Sequence, residues 1–239
     1  MKLSVLMPVF NEKLWVEEIV ERVIKQKVEG VHELEIIVVD DGSSDGTREI
    51  IQILSQRHKD IISAVYHKKN MGKGAAIRTA VQKMSGDVCI IQDADLEYNP
   101  ADYPLILAPI VSGLADCVYG SRFVGAQAKR VLFFWHSVGN KFITTLSNMF
   151  TNLNFTDIET CYKAFRCELL KSIPLRSQGF GFEAEITAKI AKRKCRIYEV
   201  GISYSGRTYA EGKKITWVDG FKALFLILKY AIINDSIEQ

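Results

Sequence analysis

Residues 34–47 read LEIIVVDDGSSDGT: a short β-branched apolar run that stops at two aspartates and gives way to a Gly/Ser/Asp turn. A run of this length suits a buried strand and is too short for a buried helix. Over residues 47–57, Ile50, Ile51 and Leu54 then fall at helical spacing, so the unit is strand, loop, helix. The same unit recurs on both sides. Upstream, a strand over 3–9 leads to a helix over 13–27 with Val16, Ile19, Val20, Val23 and Ile24 on one face. Downstream, a strand over 61–66 passes through a Gly72–Gly74 turn into a helix over 73–84, and 88–91 and 117–119 are further strands. Such alternation implies right-handed crossovers and a mostly parallel sheet, an α/β fold. Ligands of such sheets bind outside the carboxyl ends of the strands.

Composition narrows the class. The chain has 239 residues, 48% of them hydrophobic, with 31 basic and 28 acidic side chains. Disorder, a collagen-like chain and a disulfide scaffold are excluded. A net charge of +3 is too small and too mixed for nucleic-acid binding. The greasiest stretch, 217–233, is interrupted by Asp219, Lys222 and Lys229, far short of the ~18–20 apolar residues of a membrane span. The N-terminus makes a poor signal peptide. The five cysteines form no CxxC pair and read as reduced thiols of a cytoplasmic protein. His32, His58 and His67 sit in turn-like places and read as solvated.

Three strand ends carry acidic residues: Asn11-Glu12 after the first, Asp40-Asp41-Gly42-Ser43-Ser44-Asp45 after the second, and Asp93-Ala94-Asp95-Leu96-Glu97 after the fourth. Carboxylates gathered on one sheet edge repel unless a cation joins them, and an Asp-x-Asp turn suits Mg²⁺ or Mn²⁺ carrying a diphosphate. Other readings fail on spacing. The loop from Asp41 resembles the start of an EF-hand, but its twelfth position is Gln52. Asn70-Met71-Gly72-Lys73-Gly74 lacks the upstream glycine and following Ser/Thr of a phosphate loop. No GxGxxG follows the first strand. Asp45 and Ser44 also suit capping of the next helix.

PVFNE, VVDDGSSDGT, NMGKGAAI and DADLE, in this order and spacing, resemble a family-2 glycosyltransferase of the GT-A fold. YGSRF at 119–123, TCYKAFR at 160–166, GFGFE at 179–183 and Arg207 with Gly212-Lys213-Lys214 extend the resemblance to the dolichol-phosphate mannose synthase branch, across essentially the whole chain. The resemblance implies a single GT-A catalytic domain over 1–239: a nucleotide-binding half (1–123), an acceptor half (124–214) and a C-terminal amphipathic helix (215–239). It implies that Pro8, Asn11, Glu12, Asp41, Lys73 and Asp93 bind the nucleotide, with Asp41 at the base edge and Lys73 aided by free N–H groups at its helix start. Asp93 and Asp95 would hold the metal with Glu97, where the branch often carries Gln. Asp95, Arg122, Arg207 and Lys213 would form the catalytic set, the three cations on phosphates.

The activity so implied is inverting transfer of a hexose, mannose or glucose, from a GDP- or UDP-sugar to a polyprenyl phosphate at the cytoplasmic membrane face. A polyprenyl monophosphate is already mostly dianionic, so alignment and charge neutralisation matter more than a base. A sugar hydroxyl acceptor would instead need one, with Asp157 or Glu159 as candidates. A non-catalytic sugar-nucleotide-binding protein is a further alternative. A helix over 131–150 would set Val131, Trp135, Val138, Phe142 and Met149 opposite His136, Asn140, Lys141, Thr144 and Asn148. The last helix would set Trp217, Phe221, Leu224, Phe225, Leu228 and Ile232 apart from Lys222 and Lys229. Such helices lie on a membrane surface, dock on a small membrane subunit, or pack on the core.

Overall fold

A computed structural model of the chain describes residues 1–125, 128–131, 133–179, 181–208, 211 and 217–232. Seven strands among them form one sheet: β1 (Lys2–Val9), β2 (Glu33–Asp40), β3 (Ile62–Tyr66), β4 (Val88–Ile91), β5 (Cys117–Ser121), β6 (Lys163–Arg166) and β7 (Ile197–Gly201). The helices are α1 (Val16–Ile24), α2 (Thr47–Arg57), α3 (Lys73–Lys83), α4 (Tyr103–Val111), α5 (Phe134–Thr151), α6 (Cys167–Lys171), α7 (Phe182–Ala191) and α8 (Trp217–Ile232). The strand order is β3-β2-β1-β4-β6-β5-β7, and only β6 runs against its neighbours.

Helices cover both faces of the parallel part, which is why its strands are apolar throughout rather than alternating. All four residues of β4 are buried, as are the last five of β2. Helix α1 buries Val16, Ile19, Val20 and Val23, one stripe at helical spacing. From β1 the chain steps one way to β2 and β3, then returns to the other side of β1 for β4. The strand order therefore reverses between β1 and β4, and a crevice opens there. Because β6 is antiparallel, the loop that enters it shares this edge with the carboxyl ends of the other strands.

Several elements differ from the sequence reading. The helix read over 13–27 is confined to Val16–Ile24, and strands over Lys163–Arg166 and Ile197–Gly201 complete the sheet. Helix α4, YPLILAPIV, is a finding that apolar spacing does not announce. It is apolar nearly all round, and Pro104 and Pro109 read as breakers. Pro104 sits in the first turn, where its missing N–H costs nothing.

Helix α5 is turned against the usual sense. Its buried side is Ile143, Thr144 and Ser147, whereas Phe134, Trp135, Phe142 and Met149 are 59–77% exposed. In α8, Ala223, Ile227 and Tyr230 are buried while Phe225 and Leu228 are exposed. The side chains of Trp217, Phe221 and Ile232 lie outside the described residues. No helix among the described residues is long and apolar enough to cross a membrane.

Candidate functional site

The first two strand ends are stapled into one body. The Asn11 N–H donates to Ser43 Oγ at 3.0 Å, and the Ser44 N–H donates to Asn11 Oδ1 at 2.9 Å. Asn11 adopts a left-handed conformation (φ 50°), tolerated by its short amide side chain. The Glu12 N–H donates to Thr47 Oγ1 at 3.0 Å, and Asp45 Oδ1 accepts from the Thr47 N–H at 3.0 Å, which closes the start of α2. Pro8 lies within β1, in register with Val39.

Asp41, expected at the base edge, already has partners within the chain. It is buried, and its carboxylate accepts from the Met71 N–H (3.0 Å), the Gly72 N–H (2.7 Å) and His67 Nδ1 (2.7 Å). It thereby ties the loop after β3 to the end of β2. His67 also meets Thr79 Oγ1 through Nε2 at 3.0 Å, so the solvated reading of His67 is corrected. His58 likewise pairs with Glu21 at 3.1 Å. Gly42 (φ +76°) permits this closeness: a Cβ there would lie 2.6 Å from the Lys69 carbonyl carbon. The start of α3 is also closed, since the Ala75 N–H donates to the Gln178 carbonyl at 3.0 Å. One N–H of the first turn, that of Ala75, is thus taken by the chain itself.

The turn after β4 is fixed from beneath. Tyr103 and Tyr162 each donate to Gln92 Oε1 at 2.8 Å, and Gln92 Nε2 donates to the Asp93 carbonyl at 3.0 Å. Above it, carboxylates and cations alternate. Lys73 Nζ lies 2.9 Å from Asp93 and 3.2 Å from Glu183. Arg207 reaches Asp95 at 2.6 Å, Glu97 at 3.0 Å and Glu12 at 3.4 Å. Glu97 also accepts from the Tyr204 hydroxyl at 2.8 Å. The loop carrying Arg207 is held by the Ser205 N–H on the Glu97 carbonyl (2.9 Å) and by Ser203, whose N–H and hydroxyl donate to Asp102.

Asp93, Asp95 and Glu97, expected as metal ligands, form no ready three-ligand set among the described residues and are paired with the chain's own cations. Arg207 meets carboxylates instead of open solvent, and Lys73 does the same. The cause is the repulsion that motivated the metal: the chain's own cations have moved in. They do not balance it. Asp93, Asp95, Glu97 and Glu183 share two cations, and burial followed by the charges of Asp93 and Glu97 pushes the Asp95 carboxyl up to about 8. Burial alone would lower the Lys73 ammonium, but Asp93 beside it raises it well above the ordinary value. An all-oxygen donor set with excess negative charge fits a hard divalent cation such as Mg²⁺ or Mn²⁺.

Arg122 is placed differently. Its Nε and Nη2 each donate to Asp157 at 2.7 Å in a bidentate pair, and the Arg122 N–H donates to the same carboxylate at 3.1 Å. Its guanidinium also stacks over Tyr204, 5.2 Å from the ring centroid. Asp157 is fully buried, and this lock removes it as a candidate base. Glu159 is under no such bidentate lock among the described residues. Burial, then the charge of Glu183, raise its carboxyl to about 7. Lys213 lies outside the described residues. Glu183, quoted only within GFGFE, and Tyr204 are site residues to which sequence reading assigned no role. A glutamate in the first turn of a helix reads as ordinary dipole complementation, which hides its role.

A seven-stranded sheet with acidic turns at its reversal point is the architecture of the GT-A fold, that of nucleotide-diphospho-sugar transferases. The chain belongs to glycosyl transferase family 2, whose profile matches residues 4–173. It is 29% identical over 215 residues to a dolichol-phosphate mannosyltransferase of Pyrococcus furiosus, covering 89% of this chain and 59% of that protein. It is 26% identical to an undecaprenyl-phosphate 4-deoxy-4-formamido-L-arabinose transferase of Proteus mirabilis, covering 89% of this chain and 62% of the relative. The chain thus spans about three fifths of these relatives' length. In fold it is similar to glucosyl-3-phosphoglycerate synthase from Mycobacterium tuberculosis, solved with Mn²⁺, uridine diphosphate and phosphoglyceric acid. That match has a TM-score of 0.70 and 21% identity over 98% of this chain and 80% of the other.

Proposed function

We propose that this chain transfers a hexose from a GDP- or UDP-sugar to a polyprenyl phosphate, with inversion, while lying on the cytoplasmic face of a membrane. The observation that carries the reading is the unbalanced carboxylate cluster at the β1–β4 crevice. The lipid-phosphate acceptor is supported by the two relatives named for such lipids and by α5, whose Trp and Phe side chains face outward. Mannose and glucose are the sugars proposed.

Asp93 and Asp95, with Glu97 as a further oxygen donor, would hold Mg²⁺ or Mn²⁺, which supplies Lewis-acid neutralisation of the departing diphosphate. The loops from Pro8 to Glu12 and around Asp41 shape the nucleotide side. Lys73 lies beside Asp93, where its charge favours a diphosphate. Arg207, released from Asp95 and Glu97, moves onto phosphate, joined by Lys213 from the same segment. The acceptor phosphate oxygen attacks the anomeric carbon directly, and the chain's contribution is to align two anions that would otherwise repel. Arg122, locked on Asp157, shapes this wall rather than moving. A hydroxyl acceptor is the second reading, favoured by one observation: Glu159, raised to about 7, has the poise of a general base.

The test is incubation with Mg²⁺ or Mn²⁺, labelled GDP- and UDP-hexoses, and a short polyprenyl phosphate beside sugar acceptors. Label on the lipid phosphate supports the reading. Label found only on hydroxyl acceptors would sink it.

A further inference from the structure

The carboxylate cluster accounts for Lys73, Asp93, Asp95, Glu97 and Arg207 but leaves unexplained a set of buried oxygens at the same edge of the sheet, one of them on the glutamate that holds Lys73. Three buried oxygens there, Glu159 Oε1, Thr160 Oγ1 and Glu183 Oε2, have no hydrogen-bond partner among the described residues. Thr160 is fully buried, and Glu183 is 3% exposed. Native interiors seldom keep such atoms without a ligand or water to meet them. Lys163, a cation nearby, does not satisfy them: its fully buried ammonium is held by the Ile158 and Thr160 carbonyls.

The three residues share the working edge of the sheet. Glu159 and Thr160 lie in the loop entering the antiparallel strand β6, and Glu183 lies in the first turn of α7. Glu183 uses its other oxygen, Oε1, to hold Lys73, and the same ammonium holds Asp93. Of the three, Glu183 therefore lies one ammonium away from the Asp-x-Asp turn, the place proposed for the donor diphosphate. Two of the open atoms belong to carboxyl groups and the third to a hydroxyl, so together they suit a ligand rich in O–H donors. A phosphate would be repelled by the two carboxylates, and an apolar group would leave all three oxygens unpaired.

Resting on the nucleotide-sugar reading, we propose that Glu159, Thr160 and Glu183 bind the hydroxyls of the donor hexose and set which sugar is accepted. Sites that hydrogen-bond a substrate hydroxyl discriminate strongly against analogues lacking it. The residues then divide by the part of the donor they meet. Asp93 and Asp95 serve the diphosphate common to all donors, and Glu159, Thr160 and Glu183 serve the part that differs.

Thr160→Val, Glu159→Gln and Glu183→Gln test this with three readouts: calorimetric affinity for the nucleoside diphosphate alone, kcat/KM for intact and singly deoxygenated hexose donors, and thermal midpoint. In Thr160→Val the diphosphate affinity should stay within about twofold, and kcat/KM for the preferred donor should fall about ten- to hundredfold. The matching deoxy-donor, already poor, should lose little. The thermal midpoint should stay level or rise, because the hydroxyl removed has no partner among the described residues. A lowered midpoint with discrimination intact would assign Thr160 to a structural water and overturn the proposal. A Glu159→Gln variant equally impaired with every donor would make Glu159 a base instead. If Thr160→Val does not fold, Thr160→Ala, which also removes the hydroxyl, carries the same comparison. Failure of the unaltered chain to bind any nucleoside diphosphate would defeat the underlying reading. Diphosphate binding with unchanged sugar preference in the variants defeats the subsite alone.

Discussion

Two arginines stand on the same edge of the sheet in opposite electrostatic circumstances. At the end of β5, Arg122 meets Asp157 in a bidentate pair, with both side chains largely or wholly buried. Past the end of β7, Arg207 is drawn to Asp95, Glu97 and Glu12, and the nearby Asp93 leans on Lys73. The first arrangement is closed: one cation and one carboxylate, joined by two side-chain hydrogen bonds of 2.7 Å. The second has more carboxyl groups than cations, and Asp95 stays high at about 8 despite Arg207. A closed pair holds a fold in place, whereas an unbalanced cluster has a use for a further cation. The difference separates scaffold from working site more sharply than residue type does, since both regions are built from Arg and Asp.

The largest effect should come from breaking the closed pair. Asp157→Ala leaves Arg122 buried without its carboxylate and should cost about 3–5 kcal/mol in urea unfolding. Asp95→Asn should do the reverse: stability level or higher without metal, and transfer lowered about 10²–10³-fold as the diphosphate loses its neutralising ion. Equal loss of stability in the two variants would erase the contrast. Arg207→Gln is subtler. Removing the resident cation should tighten binding of Mn²⁺ alone on the order of tenfold, while transfer falls because a phosphate contact is gone. The smallest effect belongs to Glu35, a second closed site bonded by Ser4 (2.5 Å), the Ser85 N–H (2.6 Å) and Lys2 (2.9 Å). Burial acts to raise its carboxyl, yet these bonds prevail and hold it at about 2. A folded value below the unfolded ~4.3 means that its stabilisation is present above that pH and lost as pH falls towards 2. The stability difference between Glu35→Gln and the unaltered chain should therefore be full at pH 6 and vanish near pH 2.

The legibility of the sequence follows the same divide. β4 and α2 match the residues read for them, and β1, β2, β3 and α3 fall within a residue or so, because apolar runs and helical spacing are local signals. The acid-bearing turns are legible for the same reason. Helix α4 is hidden by Pro104 and Pro109, and the loop into β6 looks like strand because Tyr162, Ala164 and Phe165 continue its apolar run. Pairing across the chain leaves no such trace. Glu97 and Arg207 are 110 positions apart, and Arg122 and Asp157 are 35 apart. Nothing in the residues around either arginine tells which one faces a single acid and which faces several. His67, which reads as a solvated turn residue, is caught between Asp41 and Thr79 for the same long-range reason.

On the proposed reading, the cluster of Asp93, Asp95 and Glu97 takes up a divalent cation, whereas the pair at β5 does not. Paramagnetic titration of Mn²⁺ in the presence of a nucleoside diphosphate, followed by electron paramagnetic resonance, reads this directly. One bound ion per chain, weakened tenfold or more in Asp95→Asn, is the result predicted. Binding of the same strength in that variant would contradict the claim.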